Sequence, residues 1–451
     1  MFIKETPKLF GNFCVIYCMK RLWIISILFL LVALTSSCLQ MKKKSTSVDI
    51  NKSTERWYKG NLHTHTLWSD GDAPPEMIVS WYKDHGYDFL TLSDHNILSV
   101  GEKWIPVSKN NINLGKLDKL KAQFGDNSVH LRSENGSLFM RLKTLEELRE
   151  QFQETERFIL IQAEEITDSF ENYPIHVNAT NLETLISPQG GKSSYDVMQR
   201  NINAVRTQRS ETGRPMIAHV NHPNFGWGIV AEDLIRLKGD RFFEVYNGHP
   251  AVRNWGDPSH PGTDRMWDII LAMRLAQGKG PLYGIAVDDA HAYYKIEVGE
   301  SNTGRGWVMV KTSQLTAKAI IEAMEYGHFY ATTGVQIREI AVSKEMLRIT
   351  IQSEDGVNYK TQFIGTKRGF DRSSQPVLNT DGEPEHVSRI YSPDIGQVLF
   401  ETDENSPVYK FTGDELYVRA KIISDRKHPN PFAKGDLETA WIQPVTVSPG
   451  R

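Results

Sequence analysis

Gly60-Asn61-Leu62-His63-Thr64-His65-Thr66-Leu67-Trp68-Ser69-Asp70-Gly71 is the stretch from which the rest of the chain can be read. His63 and His65 stand two apart on a short predicted strand. Strand side chains alternate, so both imidazoles face the same side. Imidazole is the commonest protein ligand for zinc, iron and similar ions. Asp70 follows in a Ser-Asp-Gly turn, where a carboxylate can fold back over the strand end. A strand can carry two histidines and bind nothing; the company they keep sets these apart. Ser93-Asp94-His95, Glu164-Glu165, His176, Asn221-His222-Pro223 and Asp288-Asp289-Ala290-His291 each fall at the end of a further predicted strand.

Those strands alternate with helical patterns. Pro74-Pro75 open a helix with Met77, Ile78, Trp81 and Tyr82 on one stripe, and Gly86 closes it. The apolar run 88–92 delivers Asp94 and His95, and 158–161 leads to Glu164 and Glu165. Between them, residues 96 to about 143 are polar and break the rhythm, which predicts a long excursion over the site. A charged helix over 144–155, a strand at 175–179 and a helix near 195–211 come next. Strands at 215–219, 242–247 and 282–287 follow, with a helix near 263–276 between the last two. A strand at 306–311 and a helix at 316–326 complete the alternation. This order predicts a mainly parallel sheet covered by helices, with chemistry at the carboxyl ends of its strands, as in an α/β barrel. After Gly334 the helical signals fade, and strands near 348–352, 398–400, 416–422 and 440–442 predict a small β-sandwich.

The 451 residues suggest two or three domains. Composition is that of a soluble chain, 40% hydrophobic and 24% charged, except at the start. Met19-Lys20-Arg21, an apolar run from Leu22 to Leu34, and Thr35-Ser36-Ser37-Cys38 have the form of a secretory signal. The apolar run is too short to span a bilayer, which takes about 20 residues. Cys38 directly after small residues resembles the lipidated cysteine of bacterial lipoproteins. Met19 is the expected start, residues 1–38 a leader, and 39–56 a tether. The chain is therefore expected to be exported and lipid-anchored in the bacterial cell envelope, periplasm or outer membrane. The leader carries Lys4, Lys8, Lys20 and Arg21 against Glu5, so without it the formal charge falls from −3 to −6, which speaks against a nucleic-acid scaffold. Cys14 and Cys18 precede the expected start, leaving Cys38 alone. No disulfide is possible in the mature chain, and every candidate ligand is His, Asp or Glu.

Histidines and carboxylates on five strand ends suit a multinuclear metal site. Closely spaced divalent ions need a carboxylate to bridge them, while neutral imidazoles fill the remaining positions. Such a cluster lowers the pKa of bound water and polarises a phosphoryl or carbonyl oxygen. A mononuclear zinc site needs only three or four ligands, and more are available here.

The ordered set resembles the PHP superfamily, named for polymerase and histidinol phosphatase domains, over about residues 57–334. The resemblance implies a distorted (β/α)7 barrel, with 335–451 as an accessory β-sandwich. It also implies a metal-dependent phosphoesterase, phosphatase or phosphodiesterase, with metal-bound hydroxide as nucleophile and two to three divalent ions (Zn, Mn or Fe). Its ligands fall on His63, His65, Asp70, His95, Glu165, His176, His222, Asp289 and His291. One ion is implied at His63, His65, Glu165 and Asp289, a second at Glu165, His176 and His222, and a third at Asp70, His95 and His291.

Some positions stay open. Glu164 competes with Glu165 as the bridge, and His219 with His222 as the ligand; the family's pattern, matched by Ile166-Thr167 and Pro223, implies Glu165 and His222. Asp94 and His222 are expected to take part in catalysis, and Asp94 and Asp288 to orient histidines or shape turns. Arg265, Asn247 and Trp68 are candidate substrate contacts, while His249 and His260 lie in a Pro/Gly-rich loop expected to face solvent. The expected partner is a small ester, together with a membrane reached through lipid on Cys38. A carboxyl or carbamate ester would suit the same metals. A surface glycan-binding lipoprotein is the reading from a different class, but a mere scaffold would be expected to have lost ligands.

Overall fold

The computed structural model describes residues 55–108, 112–239 and 241–448. The leader, Cys38 and most of the tether lie outside them. In chain order the elements are β1 (Arg56–Asn61), α1 (Pro75–Asp84), β2 (Phe89–Leu92), β3 (Trp104–Pro106), α2 (Leu114–Phe124), β4 (Leu131–Glu134), β5 (Ser137–Arg141) and α3 (Leu145–Phe152). Then come β6 (Ile159–Phe170), β7 (Tyr173–Thr180), α4 (Ser194–Thr212), β8 (Ile217–Val220), α5 (Ala231–Arg236), β9 (Phe242–Asn247), α6 (Thr263–Ala276) and β10 (Tyr283–Val287). β11 (Trp307–Thr312), α7 (Ala317–Glu325) and β12 (Phe329–Thr332) lead to the C-terminal strands. These are β13 (Ile337–Val342), β14 (Met346–Ile351), β15 (Tyr359–Lys367), β16 (Ser374–Gln375), β17 (Ile390–Tyr391), β18 (Gln397–Thr402), β19 (Val408–Lys410), β20 (Glu415–Lys427) and β21 (Leu437–Thr446).

Helix ends follow local chemistry. α1 begins with Pro75, whose missing N–H is not needed in the first turn, and stops before Gly86 at φ 73°. α3 starts on a reciprocal cap in which Thr144 and Glu147 each accept from the other's backbone N–H. β2, β9 and β10 are buried along their whole length, the pattern of strands covered on both faces. α4, α5 and α6 bury Val197, Leu234 and Ile270 against β7–β9, in a cluster with Val177, Val220 and Phe243. α7 buries Ile320 and Ile321 beside Val308 and Phe329.

Thirteen strands form one mixed sheet in the order β10-β9-β8-β7-β6-β2-β1-β11-β12-β21-β20-β15-β18. The expected mainly parallel sheet is not what forms: only β10–β9, β9–β8, β6–β2 and β2–β1 run parallel. β6 turns straight back into β7, Phe170 facing Tyr173, through a tight turn with Glu171 at φ 53°. So short a link admits only an antiparallel neighbour. The strand ladder does not close into a barrel. Its two arms meet beyond β1 and β10, where His65 N–H donates to Ala290 O at 3.0 Å and Asp289 N–H to His63 O at 3.0 Å.

The stretch expected as a long excursion is ordered over its described residues. β3, β4 and β5 form a small antiparallel sheet, and α2 is capped by the Asn113 side chain accepting from Lys116 N at 2.9 Å. Its apolar side, Leu117, Leu120 and Phe124, joins the cluster around Trp68 and Met140. At the C-terminus, β12 pairs with β21, so the main sheet runs on past residue 334. A second sheet, β13-β14-β19, packs on it through Leu347, Ile349, Phe363, Ala420 and Ile442. No helix among the described residues is long and apolar enough to cross a membrane.

Candidate metal centre

The segments after β1, β2, β8 and β10, with the facing middles of β6 and β7, bring the nine candidate ligands together. Nε2 of His63 and Nε2 of His65 lie 3.0 Å apart. Asp289 Oδ1 is 3.2 Å from the first and 3.1 Å from the second. Glu165 Oε2 stands 3.4 and 3.3 Å from the same two nitrogens. Ligands 2.0–2.1 Å from a tetrahedral ion are about 3.3 Å apart, so His63, His65 and Asp289 already have the spacing of a coordination shell, with Glu165 Oε2 against both imidazoles. Glu165 Oε2 is buried and accepts no well-directed hydrogen bond, although His95 Nδ1 also approaches to 2.8 Å. Two buried carboxylates among imidazoles, one with an orphaned oxygen, fit a divalent cation.

The other oxygen of Glu165 faces a second pair: Oε1 lies 2.9 Å from His176 Nδ1 and 3.4 Å from His222 Nε2. A third group forms at the open side. Asp70 reaches His291 Nε2 at 3.4 Å and His95 Nε2 at 3.5 Å, with His65 Nδ1 at 3.7 Å. His65, Asp70, His95 and His291 together offer four converging ligand atoms. Glu165 is thus the hub between the groups. Glu164, its rival for that place, points elsewhere: its Oε1 accepts from Ile186 N at 2.7 Å, and burial pushes its pKa up to about 8.

Backbone geometry sets these positions. A Cβ at Gly71 would come within 2.6 Å of His65 O, so only glycine lets the Asp70 turn close over the strand end. Asp289 sits at φ 50°, a conformation costly for a residue with a side chain. The link between its N–H and His63 O holds it there.

Several expected roles change. Asp94, expected in catalysis, is buried, and Thr66 N and Ser69 N donate to its Oδ1 at 2.7 and 3.0 Å. Ser69 Oγ donates to Oδ1 at 2.7 Å and Thr66 Oγ1 to Oδ2 at 3.0 Å. With its oxygens occupied, it fixes the turn that carries Asp70. Asp288 does similar work elsewhere, accepting from Gly304, Arg305 and Gly306 N–H and from the Tyr82 hydroxyl. Arg265 does not face the site; it donates to the carbonyls of Ser392 and Ile395. Trp68 is buried, with its indole N–H on Lys143 O at 2.9 Å. Asn247 is buried as well and bridges carboxylates, donating to Glu244 Oε2 at 2.8 Å and Asp289 Oδ2 at 3.1 Å. His260 stacks on Trp227. His249 is half-buried beside His291, rather than out in solvent.

Sequence reasoning missed Glu244. Its Oε1 lies 2.7 Å from His63 Nδ1 and 3.2 Å from His219 Nε2, and its Oε2 accepts from His222 N at 2.7 Å. A carboxylate on the far nitrogen of a ligating histidine fixes its tautomer and orientation. The signal was a lone acid inside the apolar run Phe242-Phe243-Glu244-Val245-Tyr246. His219 belongs to this outer layer.

Charge is arranged to match. Burial alone would raise the carboxyls of Glu165 and Asp289, but His63 beside each holds them well below the usual range. His63 is itself buried, yet Asp289, Glu165 and Glu244 outweigh that and raise its pKa well above the imidazole value. Burial and the neighbouring His291 push His65 down to about 3, leaving it a neutral donor.

No protein-family model and no curated protein matches the chain. Solved structures do resemble it. One is a two-domain protein containing a predicted PHP-like metal-dependent phosphoesterase from Bacteroides vulgatus, 15% identical, TM-score 0.40, over 86% of this chain and 95% of that one. Another, from Bifidobacterium adolescentis and named as a metal-dependent phosphoesterase, is 12% identical with TM-score 0.28, over 52% of this chain and 88% of that one. An amidohydrolase from Chromobacterium violaceum with bound sulfate shows 12% identity and TM-score 0.27 over the same shares, 52% and 88%. With TM-scores this low the likenesses carry no weight for function, which rests on the side chains.

Proposed function

We propose that the chain is a metal-dependent hydrolase of phosphoric esters. The observation that carries this reading is the converging group of His63, His65 and Asp289, with Glu165 against both imidazoles and shared outward to His176 and His222. Divalent ions held there would supply an activated water and a Lewis acid for a phosphoryl oxygen. The residues do the rest. Glu244 and Asn247 orient His63 and Asp289 from behind, Asp94 holds the Asp70 turn in place, and burial of His63, His65 and Glu165 keeps bulk water from competing. Two to three ions per chain, of zinc, manganese or iron, suit a donor set made only of imidazole and carboxylate. In this reading residues 57–334 are the hydrolase portion, an open strand ladder whose arms the Thr64–Ala290 bridge joins in place of a closed barrel, and 335–451 an accessory β-domain.

The test combines metal analysis of protein never exposed to chelators with a screen of phosphomonoesters, phosphodiesters and carboxyl esters. Two or three transition-metal ions and turnover of a phosphoester are expected. One ion or none would defeat the multinuclear reading. Cleavage of carboxyl or carbamate esters alone would move the chemistry to a carbonyl.

Location is part of the same proposal and rests on the leader sequence. Cys38 carries lipid and tethers the enzyme to the cell envelope. Full-length protein should partition with membranes and Cys38→Ala should not; equal partitioning would remove the anchor and leave the hydrolase reading intact.

A further inference from the structure

Phe225 follows ligand His222 by three residues, on a loop whose backbone is forced. Gly226 and Trp227 both sit at φ 56°, a region that bulky side chains rarely enter. Several contacts hold Trp227 there. His260 stacks on its indole with centroids 3.9 Å apart and planes at 7°, and the Arg253 guanidinium lies 4.9 Å from the ring. Asn224 ties the same loop to the 253–261 segment, its amide donating to Arg253 O at 2.8 Å and Pro261 O at 3.1 Å. The result is a rigid turn that leaves Phe225 half-buried beside the ligands instead of in the core.

The Phe225 ring lies 5.0 Å from His222 and 6.2 Å from His176. Its other neighbour is His249, 6.2 Å away and nearly perpendicular at 80°. His249 in turn stands 5.4 Å from His291. Its Nδ1 accepts from Ala251 N at 3.1 Å, which places any proton of the neutral ring on Nε2. Two half-buried rings at right angles therefore span the rim of the ligand cluster from His176 to His291. A cavity of about 780 Å³ elsewhere, beside the starts of β8 and β9, offers no comparable surface. Arg209 and Lys318 line it, but they are paired with Glu325 and Glu322.

We propose that Phe225 and His249 form the leaving-group subsite of the metal centre and select esters that carry a flat, unsaturated ring. This rests on the hydrolase reading above and adds the substrate class. Aromatic faces and edges pack on planar rings in stacked or edge-on geometry, whereas a small alkyl group offers them little contact. A perpendicular pair of rings gives such a group a face and an edge at once. A strained, clamped loop fits a surface that must be ready before substrate arrives.

Paired probes that are not cleaved test the subsite, with affinities measured by calorimetry on protein retaining its metals. Phenylphosphonate should bind roughly 10-fold more tightly than methylphosphonate, the order of an aromatic contact. Phe225→Ala should abolish the preference with metal content and methylphosphonate affinity unchanged. Phe225→Leu, which keeps an apolar side chain, should lose most of it, and His249→Ala should reduce it. Equal affinity of the wild type for both phosphonates overturns the subsite and leaves the hydrolase reading standing. Equal weakening of both ligands in Phe225→Ala overturns it as well, since the ring would then only support His222. Benzoate and acetate form the second pair. If neither phosphonate binds but benzoate keeps a preference that Phe225→Ala removes, the phosphoester reading fails and the subsite holds. Absence of preference in both pairs overturns it.

Discussion

Glu165 is the residue on which most of the site converges, because each of its oxygens faces a different set of imidazoles. Glu165→Gln keeps the shape but removes the charge that offsets bound cations, and an amide coordinates weakly. Metal content should fall by about two ions, and activity by several orders of magnitude, since metal activation of water moves its pKa from 15.7 to about 7. His95 has its side chain 27% exposed at the Asp70 side, so His95→Ala should empty mainly the outer group and be partly restored by excess metal. Glu164→Gln is the control. With its pKa pushed up to about 8, Glu164 is already largely uncharged at pH 7, and an amide in its place should leave the metals unchanged. Loss of two ions from Glu164→Gln would instead make Glu164 the bridge. Glu244→Gln should keep the fold and lower metal affinity about 10- to 100-fold, read by titration against a chelator. An unchanged affinity would reduce Glu244 to packing.

At the scale of the element, α1 carries an unusual group. Glu76, in its first turn, is 4% exposed, and its Oε2 has no hydrogen-bond partner. Burial raises its pKa from 4.5 to about 7. The folded state therefore holds this proton more tightly than the unfolded chain does. The resulting stability is fully present below pH 4.5 and is lost as pH rises through about 7. Glu76→Gln replaces the acid with a group that does not titrate. Its stability relative to wild type should rise between pH 5 and 9 by up to roughly 3 kcal/mol, read from urea midpoints across that range. Parallel pH profiles for the two proteins would contradict the burial effect.

Across the whole molecule, α6 and the C-terminal strands are joined by a buried ion network. Arg419 on β20 donates to Asp268 at 2.8 Å from Nε and at 2.7 Å from Nη2, and Tyr417 adds a hydroxyl at 2.8 Å. Asp264 pairs with Arg419 at 3.3 Å and with Lys421 at 2.6 Å. Asp268→Ala leaves a guanidinium 1% exposed with much of its countercharge gone. Breaking a buried pair from one side costs about 3–5 kcal/mol, so urea unfolding should show a loss of that size. A loss under about 1 kcal/mol would mean that the apolar contacts across β12, β20 and β21 hold these strands without help.

The sequence by itself supplied the candidate ligands. Alternation along one strand put His63 and His65 on a common side, histidines and carboxylates recurred at later predicted strand ends, and the resemblance to a known family singled out Asp70, His95, Glu165, His176, His222, Asp289 and His291 among them. The bounds of α6 were also legible, because helix patterns and their ends are local. Tertiary structure decided everything that depends on distant partners. Strand direction beyond β6 turned on a tight link into β7, and the C-terminal strands joined the main sheet because β21 found β12. Glu244 became the support of His63 across 181 residues of chain, a pairing that no local pattern encodes. Arg265, Trp68 and Asn247 looked free to meet substrate as residues in a string. In the folded chain, Ser392 and Ile395, Lys143, and Glu244 with Asp289 claim them first, because a buried donor must find an acceptor wherever packing brings one.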